Sequence, residues 1–203
     1  SRACRLRTSP GCGVRGGIAS LGPADRWLDI GAGRGKAILD YVSPNYRRGG
    51  KKAKAVALSI EDRRADEWFE TTGALGATQI QYLTGKRLRE YSPDELGNFQ
   101  MITDVMGGFA YSENLTLFME KALAVPDVKG TFCTVLQDVK LEGSANRPSY
   151  PNTPLRTEIA RTDGTEVKVC AGLKSIRCVE AICIPKTGWG MPIEFYRLRK
   201  VYN

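Results

Sequence analysis

The junction between a short apolar segment, Arg26–Ile30, and the glycine-rich stretch Asp29–Lys36 (DIGAGRGK) constrains the fold of this chain more than any other feature. Glycine alternates with other residues at positions 31, 33 and 35, and a second apolar segment follows at Lys36–Val42. A strand that ends in glycines and continues as a helix brings its backbone close to a ligand, because glycine has no Cβ and adopts left-handed conformations. The sequence therefore predicts an α/β fold with a ligand-binding turn at this junction.

Spacing separates the kinds of ligand that such a turn commonly binds. A phosphate-binding P-loop needs four residues between its first glycine and a Gly-Lys-Ser/Thr sequence. Here Gly31 and Gly35 have three residues between them, and Ala37 replaces the hydroxyl residue. A dinucleotide turn, G-x-G-x-x-G, needs a glycine at the position of Lys36. The remaining pattern, an acid followed by x-G-x-G-x-G, fits Asp29–Gly35 without a gap.

A second glycine cluster, Gly11–Gly16 (GCGVRG), matches the dinucleotide pattern by letter but lacks its context. Residues 1–10 are polar, basic and interrupted by proline, so no strand precedes it, and Gly17 and Gly22-Pro23 argue against a following helix. We therefore expect residues 1–23 to be a flexible lead-in or a partial N-terminal segment. Residues 24–203 are expected to form a single domain, because 203 residues suffice for one substantial core and not for two of ordinary size.

The absence of histidine from the sequence excludes several kinds of chemistry. A Ser-His-Asp or Cys-His hydrolase needs a histidine base, and the usual zinc sites need histidine or paired cysteines. The six cysteines form no C-x-x-C pair, so we expect no metal and reduced thiols in a cytoplasmic protein. Cys133, Cys178 and Cys183 lie among apolar residues and are expected to pack there. The sequence has no run of eighteen apolar residues and no apolar N-terminal region, which argues against a membrane span and a signal peptide.

The net charge of +8 is unevenly distributed along the chain. One basic cluster consists of Arg47, Arg48, Lys51, Lys52 and Lys54. Such a cluster is typical of a nucleic-acid-binding surface. A solvated loop is the alternative, and it is the favoured interpretation because of where the predicted topology puts the cluster.

Strand-like and helix-like segments alternate along most of the chain. The predicted strands are Arg26–Ile30, Lys54–Ile60, Gln79–Leu83, Phe99–Val105, Gly130–Val139, Cys178–Pro185 and Ile193–Val201, and the predicted helices are Lys36–Val42, Glu61–Thr72, Glu113–Val125 and Glu166–Ile176. This alternation predicts a Rossmann-like, doubly wound, mostly parallel seven-stranded sheet with a C-terminal antiparallel strand pair at its edge. Residues 140–157 contain three prolines and no periodicity, so we expect them to form a lid-like loop.

The predicted topology also indicates where a ligand binds. In sheets of this kind ligands lie at the carboxyl ends of the strands, near the point where strand order reverses. Four segments follow predicted strands in this way: Asp29–Gly35, Ser59–Asp62, Leu83–Arg87 and Asp104–Gly108. The basic cluster joins a helix to the next strand, so it is expected at the opposite rim.

The glycine turn, the five strand–helix steps and the terminal strand pair together resemble the class I S-adenosylmethionine-dependent methyltransferases over roughly residues 24–203, most strongly at WLDIGAGRGKAIL. The resemblance implies S-adenosyl-L-methionine as the cofactor, with Asp29 and the backbone of the glycine turn beneath its methionine part. The cofactor-binding residues that it implies are Asp29, Gly31, Ala32, Gly33, Gly35, Ser59, Ile60, Glu61, Arg87 and Asp104. The candidate catalytic residues are Asp104 and Tyr111.

The sequence departs from the family pattern at two of these places. Ser59 stands where the family usually has the acid that binds the ribose, so Glu61 is the nearest carboxylate, and Gly85-Lys86-Arg87 replaces a common Gly-Asp-Ala near the adenine. Structural roles are open for the other candidates as well: Asp29 as a cap of the loop, Ser59 and Glu61 as an N-cap and a first-turn acid, Asp104 as a partner of loop amides, and Tyr111 as a packing residue.

The resemblance implies methyl transfer, and the lack of histidine is compatible with that chemistry. A sulfonium already makes its methyl group electrophilic, so the protein mainly aligns donor and acceptor and excludes water. No DPPY-type sequence and no Pro-Cys pair follows the fourth strand, where Asp104 precedes Val-Met-Gly-Gly. A small-molecule or peptide acceptor, methylated on nitrogen, oxygen or a carboxylate, is therefore the leading hypothesis. An RNA methyltransferase and a non-catalytic cofactor-binding module are the alternatives, and no membrane partner is expected.

Overall fold

Helices and strands alternate along the chain in the computed structural model, which describes residues 14–43, 53–73, 79–105, 107–108, 115–137, 158–160, 166–174, 179–188 and 191–201. The helices are α1 (Val14–Ala19), α2 (Lys36–Val42), α3 (Asp66–Gly73), α4 (Pro93–Leu96), α5 (Leu115–Ala124) and α6 (Val169–Lys174), and a 3-10 helix covers Leu88–Glu90. The strands are β1 (Arg26–Ile30), β2 (Lys54–Leu58), β3 (Ile80–Leu83), β4 (Phe99–Val105), β5 (Pro126–Gln137), β6 (Glu158–Ala160), β7 (Glu166–Lys168), β8 (Val179–Gly188) and β9 (Met191–Lys200). The candidate Tyr111, the lid-like loop 140–157 and the basic cluster apart from Lys54 lie outside the described residues.

Seven strands form one sheet in the order β3-β2-β1-β4-β5-β9-β8. The five strands from β3 to β5 are parallel, and β9 runs antiparallel to both of its neighbours. In the centre of the sheet Leu28 of β1 pairs with Val56 on one side and Ile102 on the other. The predicted fold class, including the antiparallel pair at the edge, is confirmed. Strands β6 and β7 form a separate two-stranded antiparallel sheet.

The core lies on both faces of this sheet, because successive side chains of a strand point to opposite faces. On one face Trp27 and Met101 pack with Ile38 and Tyr41 of α2 and with Trp68 of α3. On the other face the buried side chains come from strands β1, β2, β4 and β5 and from helices α4, α5 and α6, and they include Leu28, Leu96, Ile102, Met119, Phe132 and Leu173. The two apolar layers therefore hold the parallel strands in register, with their carboxyl ends along one edge of the sheet.

Several predicted elements differ from the observed ones, five of them in ways that bear on the fold. Strand β2 ends at Leu58 and α3 begins at Asp66, because Asp62 accepts hydrogen bonds from the backbone and the guanidinium of Arg64 and so favours a turn over a first helical turn. Strand β5 begins at Pro126 instead of residue 130.

The other two differences lie towards the two ends of the chain. The segment from Glu166 to Lys168 is a strand paired with β6, so the predicted helix over 166–176 is wrong for its first three residues. The expectation that no helix follows the first glycine cluster is wrong as well, since α1 covers Val14–Ala19 and Ile18 is buried against the sheet.

The cysteines depart from the expectation of reduced thiols. Cys170 of α6 and Cys183 of β8 form a disulfide with a Cα–Cα distance of 6.0 Å. Cys133 is buried among apolar side chains, as its apolar neighbours in the sequence predict. Cys178 lies outside the described residues. Among the helices that the structure describes, none is long and apolar enough to cross a membrane.

Candidate functional site

The candidate site lies at the carboxyl edge of the sheet, where the strand order reverses. Strands β2 and β3 follow β1 in one direction across the sheet, whereas β4 lies on the other side of β1 and leads to β5. The loops after β1 and β4 therefore diverge from neighbouring strands and leave a crevice between them, which is where ligands bind in open α/β sheets. The predicted segments after β1, β2, β3 and β4 meet along this edge.

The glycine turn has three residues with left-handed φ angles, and their surroundings differ. The φ angles are 70° at Gly31, 54° at Gly33 and 75° at Gly35. A Cβ at Gly31 would lie 2.5 Å from the Cα of Gly107, and a Cβ at Gly35 would lie 2.3 Å from the ring of Trp68. A Cβ at Gly33 would meet nothing within 4 Å. Internal packing thus explains two of the three glycines, and only the middle one faces open space.

Backbone hydrogen bonds join the turn to the loops that follow β2 and β3. The N–H of Ala32 donates to the carbonyl of Leu58 at 3.0 Å, and the N–H of Gly85 donates to the carbonyl of Ile60 at 3.0 Å. The hydroxyl of Tyr82 donates to the carbonyl of Gly33 at 2.5 Å. The three loops therefore form one connected edge.

Asp29 is buried directly beneath the turn, with 7% of its surface exposed. Its Oδ1 accepts a hydrogen bond of 2.6 Å from the hydroxyl of Thr103, and that hydroxyl oxygen in turn accepts from the indole N–H of Trp27 at 2.8 Å. Burial raises the pKa of Asp29 to about 6, and the hydrogen bond from Thr103 opposes that rise. At neutral pH the carboxylate is thus mostly ionised, and a cation nearby would stabilise it.

The candidate residues after β2 differ in their exposure. Ser59 is buried, with its N–H bonded to the carbonyl of Leu83, so its side chain is enclosed within the edge. Ile60 is 57% exposed and offers an aliphatic surface at the site. Glu61 is exposed and accepts hydrogen bonds from Nε and Nη2 of Arg63 at 3.0 and 2.7 Å. Arg87 is exposed at the start of the 3-10 helix after β3.

Asp104 lies on the opposite face of the sheet from Asp29, and the structure does not bring the two carboxylates together. Its exposed fraction is 0%, and the hydroxyl of Thr134 donates to its Oδ2 at 3.3 Å and to its carbonyl at 3.0 Å. A Cβ at Gly107 would lie 2.2 Å from Oδ1 of Asp104, so the following loop covers this carboxylate. The interpretation of Asp104 as a residue that faces the ligand therefore remains a hypothesis, and the candidate Tyr111 lies outside the described residues.

Sequence reasoning missed four residues that shape the site: Thr103, Gly107, Trp68 and Tyr82. Each contacts the turn or Asp29 from an element that is distant in sequence, such as Thr103, which lies 74 residues after Asp29. The sequence of β4 contains a signal for Thr103. Its side chain lies on the same apolar face as Met101 and Trp27, and a buried polar group on such a face needs a hydrogen-bond partner. The glycines after β4 are visible in the sequence. The requirement for glycine at position 107 follows only from its packing beside the end of β1.

Comparison with known proteins identifies the fold. No protein-family model matches the chain, and no curated protein sequence matches it. Among solved structures, it is similar to a SAM-dependent methyltransferase from Aquifex aeolicus, with 15% identity, a TM-score of 0.55, and coverage of 90% of this chain and 86% of that one. It is also similar to the N-methyltransferase NodS from Bradyrhizobium japonicum, with 12% identity, a TM-score of 0.50, and coverage of 88% and 87%.

A third similar structure is the CurJ carbon methyltransferase, with 14% identity, a TM-score of 0.57, and coverage of 92% of this chain and 52% of that one. The chain thus has the fold that these S-adenosylmethionine-dependent methyltransferase structures share. Carbon and nitrogen methyltransferases occur among these neighbours, so the fold by itself does not select an acceptor.

Proposed function

We propose that this chain transfers a methyl group from S-adenosylmethionine to an acceptor. The observation that carries the proposal is the open space at Gly33. The flanking glycines of the acid-x-G-x-G-x-G turn pack against protein, whereas the left-handed Gly33 presents bare backbone at the point of the sheet where ligands bind. This is the place where the resemblance puts the methionine part of the cofactor, and the absence of a side chain there leaves it accessible.

The chemistry of the surrounding residues fits this cofactor. The Asp29 carboxylate, with a pKa of about 6, is negatively charged at neutral pH and is opposite in sign to the cofactor's sulfonium and ammonium groups. The exposed aliphatic side chain of Ile60 suits the face of an adenine ring, and Glu61, exposed and paired with Arg63, is the nearest carboxylate for ribose hydroxyls. When bound, the cofactor would supply a methyl group on a positively charged sulfur, which an acceptor lone pair can attack without a protein nucleophile.

The contribution of the chain is then to bind, to orient and to exclude water. The glycine turn and Asp29 would hold the methionine part, and Ser59, Ile60, Glu61 and Arg87 would line the adenosine part. Asp104 and Tyr111 are proposed as residues on the acceptor side. Because Asp104 is buried against the loop at Gly107, a direct role for it requires that loop to move.

Calorimetric titration with S-adenosylmethionine tests the proposal, using two matched glycine variants. Gly33→Ala places a methyl group in the open space and should raise the dissociation constant at least about tenfold. Gly97→Ala is the control, because Gly97 also has a left-handed φ (69°) but lies before β4, at the opposite rim, where its Cβ would meet the end of the Arg26 side chain. Absence of binding to the unmodified protein at millimolar cofactor, or equal affinity in both variants, would contradict the proposal.

A small-molecule or peptide acceptor is the acceptor class that we propose. Lys54, the described member of the basic cluster, begins β2 and lies four residues before its last residue, Leu58. That distance is about 13 Å, more than one and a half times the Debye length of about 8 Å at physiological salt. Turnover and the Michaelis constant for the acceptor should then change little across a salt series. A steep, salt-dependent rise of the Michaelis constant would instead favour RNA, and absence of S-adenosylhomocysteine release with any acceptor would favour a non-catalytic module.

A further inference from the structure

Tyr82 of the edge strand β3 brings its hydroxyl to the backbone of two different loops. The hydroxyl donates to the carbonyl of Gly33 at 2.5 Å, and the carbonyl of Glu61 is a second, more distant acceptor at 3.3 Å. Its oxygen accepts a hydrogen bond from the N–H of Arg63, also at 3.3 Å. One side chain therefore joins the glycine turn after β1 to the loop between β2 and α3.

The ring of Tyr82 is itself held in place from two sides. It packs edge-on against Trp68, with 5.2 Å between the ring centres and an angle of 77° between the planes. The guanidinium of Arg64 lies 5.1 Å from its ring centre. Trp68 is buried and also fills the space next to Gly35, so the tryptophan supports the turn directly and through the tyrosine.

We propose that Tyr82 is a positioning residue for the cofactor site. This inference rests on the proposed function and deepens it. Tyr82 acts through the carbonyl of Gly33 and the N–H of Arg63, so it fixes the open position of the glycine turn relative to the loop that carries Ile60 and Glu61. The methionine part of the cofactor would contact the glycine turn, and its adenosine part would contact the loop after β2. The Tyr82 hydroxyl therefore controls the distance between these two loops.

The variant that isolates the hydroxyl is Tyr82→Phe, because phenylalanine keeps the ring contact with Trp68. Tyr41→Phe is its matched control. The Tyr41 hydroxyl accepts a hydrogen bond from the N–H of Ala53 at 3.0 Å, in the same apolar cluster but at the opposite rim of the sheet. Both variants remove one hydroxyl that binds backbone, and only one of the two hydroxyls contacts the candidate site.

Two measurements are needed, and the first does not depend on the cofactor. Hydrogen exchange of the amides of Ala32 and Gly35, which donate to the carbonyls of Leu58 and Ala32, reports the stability of the turn. We expect faster exchange at both amides in Tyr82→Phe and unchanged exchange in Tyr41→Phe. The second measurement is the dissociation constant for S-adenosylmethionine, which should rise about three- to tenfold in Tyr82→Phe and stay unchanged in Tyr41→Phe.

In turnover assays Tyr82→Phe should raise the Michaelis constant for the cofactor and leave kcat nearly unchanged, which a general loss of folding would not do. Unchanged amide exchange in Tyr82→Phe, or the same acceleration in both variants, would overturn the positioning role. If the turn loosens in Tyr82→Phe alone and the unmodified protein fails to bind the cofactor, Tyr82 still positions the glycine turn, and it is the proposed function that fails.

Discussion

The two halves of the carboxyl edge differ in how much of their surface is left open. In the half formed by β1, β2 and β3, the backbone of Gly33 faces open space, Ile60 is 57% exposed and the Glu61 side chain lies in solvent. Among the described residues of the half formed by β4 and β5, Asp104 and Thr134 are both 0% exposed, and Val105 is 40% exposed.

The difference separates residues that present a surface from residues that support one. Gly107 packs against Gly31 and against the carboxylate of Asp104, so Asp104 is covered where it adjoins the glycine turn. Both Asp29 and Asp104 end apolar runs in the sequence and each binds a threonine hydroxyl, yet they occupy opposite faces. An acid at the end of a strand is therefore a site residue only when the neighbouring loop leaves it within reach of a ligand.

The largest expected effect comes from adding a side chain at Gly31, in the packed part of the turn. Gly31→Ala should lower the free energy of unfolding by about 2–5 kcal/mol, because it adds a left-handed alanine and a Cβ that would lie 2.5 Å from the Cα of Gly107. Gly33→Ala carries only the left-handed strain and should cost about 1–2 kcal/mol. Urea unfolding of the two variants gives the comparison. Equal losses would mean that the open and packed parts of the turn do not differ as described.

The next effect concerns the pH dependence of stability. Burial raises the pKa of Asp29 from 3.8 to about 6, so the folded state binds the proton more tightly than the unfolded state does. The stability that this group contributes is full below about pH 4 and is lost as the pH rises through 6. Asp29→Asn keeps an oxygen to accept the hydrogen bond from Thr103 and removes this titration. Its free energy of unfolding relative to the unmodified protein should therefore increase by about 2 kcal/mol between pH 4 and pH 7.

Urea unfolding at a series of pH values measures this difference, since all other groups titrate alike in the two proteins. Parallel pH profiles would show that Asp29 is not the buried acid that the structure describes. Cofactor affinity gives an independent check: binding of a cation should weaken below about pH 6 in the unmodified protein and should be less dependent on pH in Asp29→Asn.

The smallest expected effect concerns Asp104. Asp104→Asn should lower the free energy of unfolding by about 1–3 kcal/mol, because it changes a buried group bonded to Thr134. Its dissociation constant for S-adenosylmethionine should stay within about twofold of the original, since no open surface is altered. A tenfold loss of affinity at unchanged stability would support the ligand-facing role that the sequence favours for Asp104.

The sequence predicted the fold and the turn from local patterns. Strands β1 and β4 and helix α2 have the predicted bounds, because each is an uninterrupted apolar or amphipathic segment between turn residues. The start of α3 was missed, since the side-chain bonds of Asp62 compete with the helix. The disulfide between Cys170 and Cys183 could not be predicted, because it depends on how α6 lies on β8.

For the candidate site, the sequence predicted only features that lie within a single segment of the chain. The acid-x-G-x-G-x-G pattern gave the left-handed turn, since glycine at alternate positions is itself a conformational signal. It did not give the partners of that turn: Tyr82, Trp68 and Gly107 all meet it across tertiary contacts. The burial of Asp104 likewise depends on a tertiary contact, with Gly107, that its own position in the sequence does not show, and its role in ligand binding stays a prediction.

The contact between Gly31 and Gly107 has a consequence for how related sequences can diverge. The Cβ position of Gly31 is occupied by the Cα of Gly107 at 2.5 Å, and that of Gly107 is occupied by Oδ1 of Asp104 at 2.2 Å and the carbonyl oxygen of Ile30 at 2.5 Å. Gly107 has no side chain to lose, so a substitution at Gly31 cannot be rescued by a smaller residue at Gly107, but only by a loop of different length. Homologues that keep both loop lengths should retain glycine at the two positions together, and homologues that lose one should carry an insertion or deletion after β1 or β4.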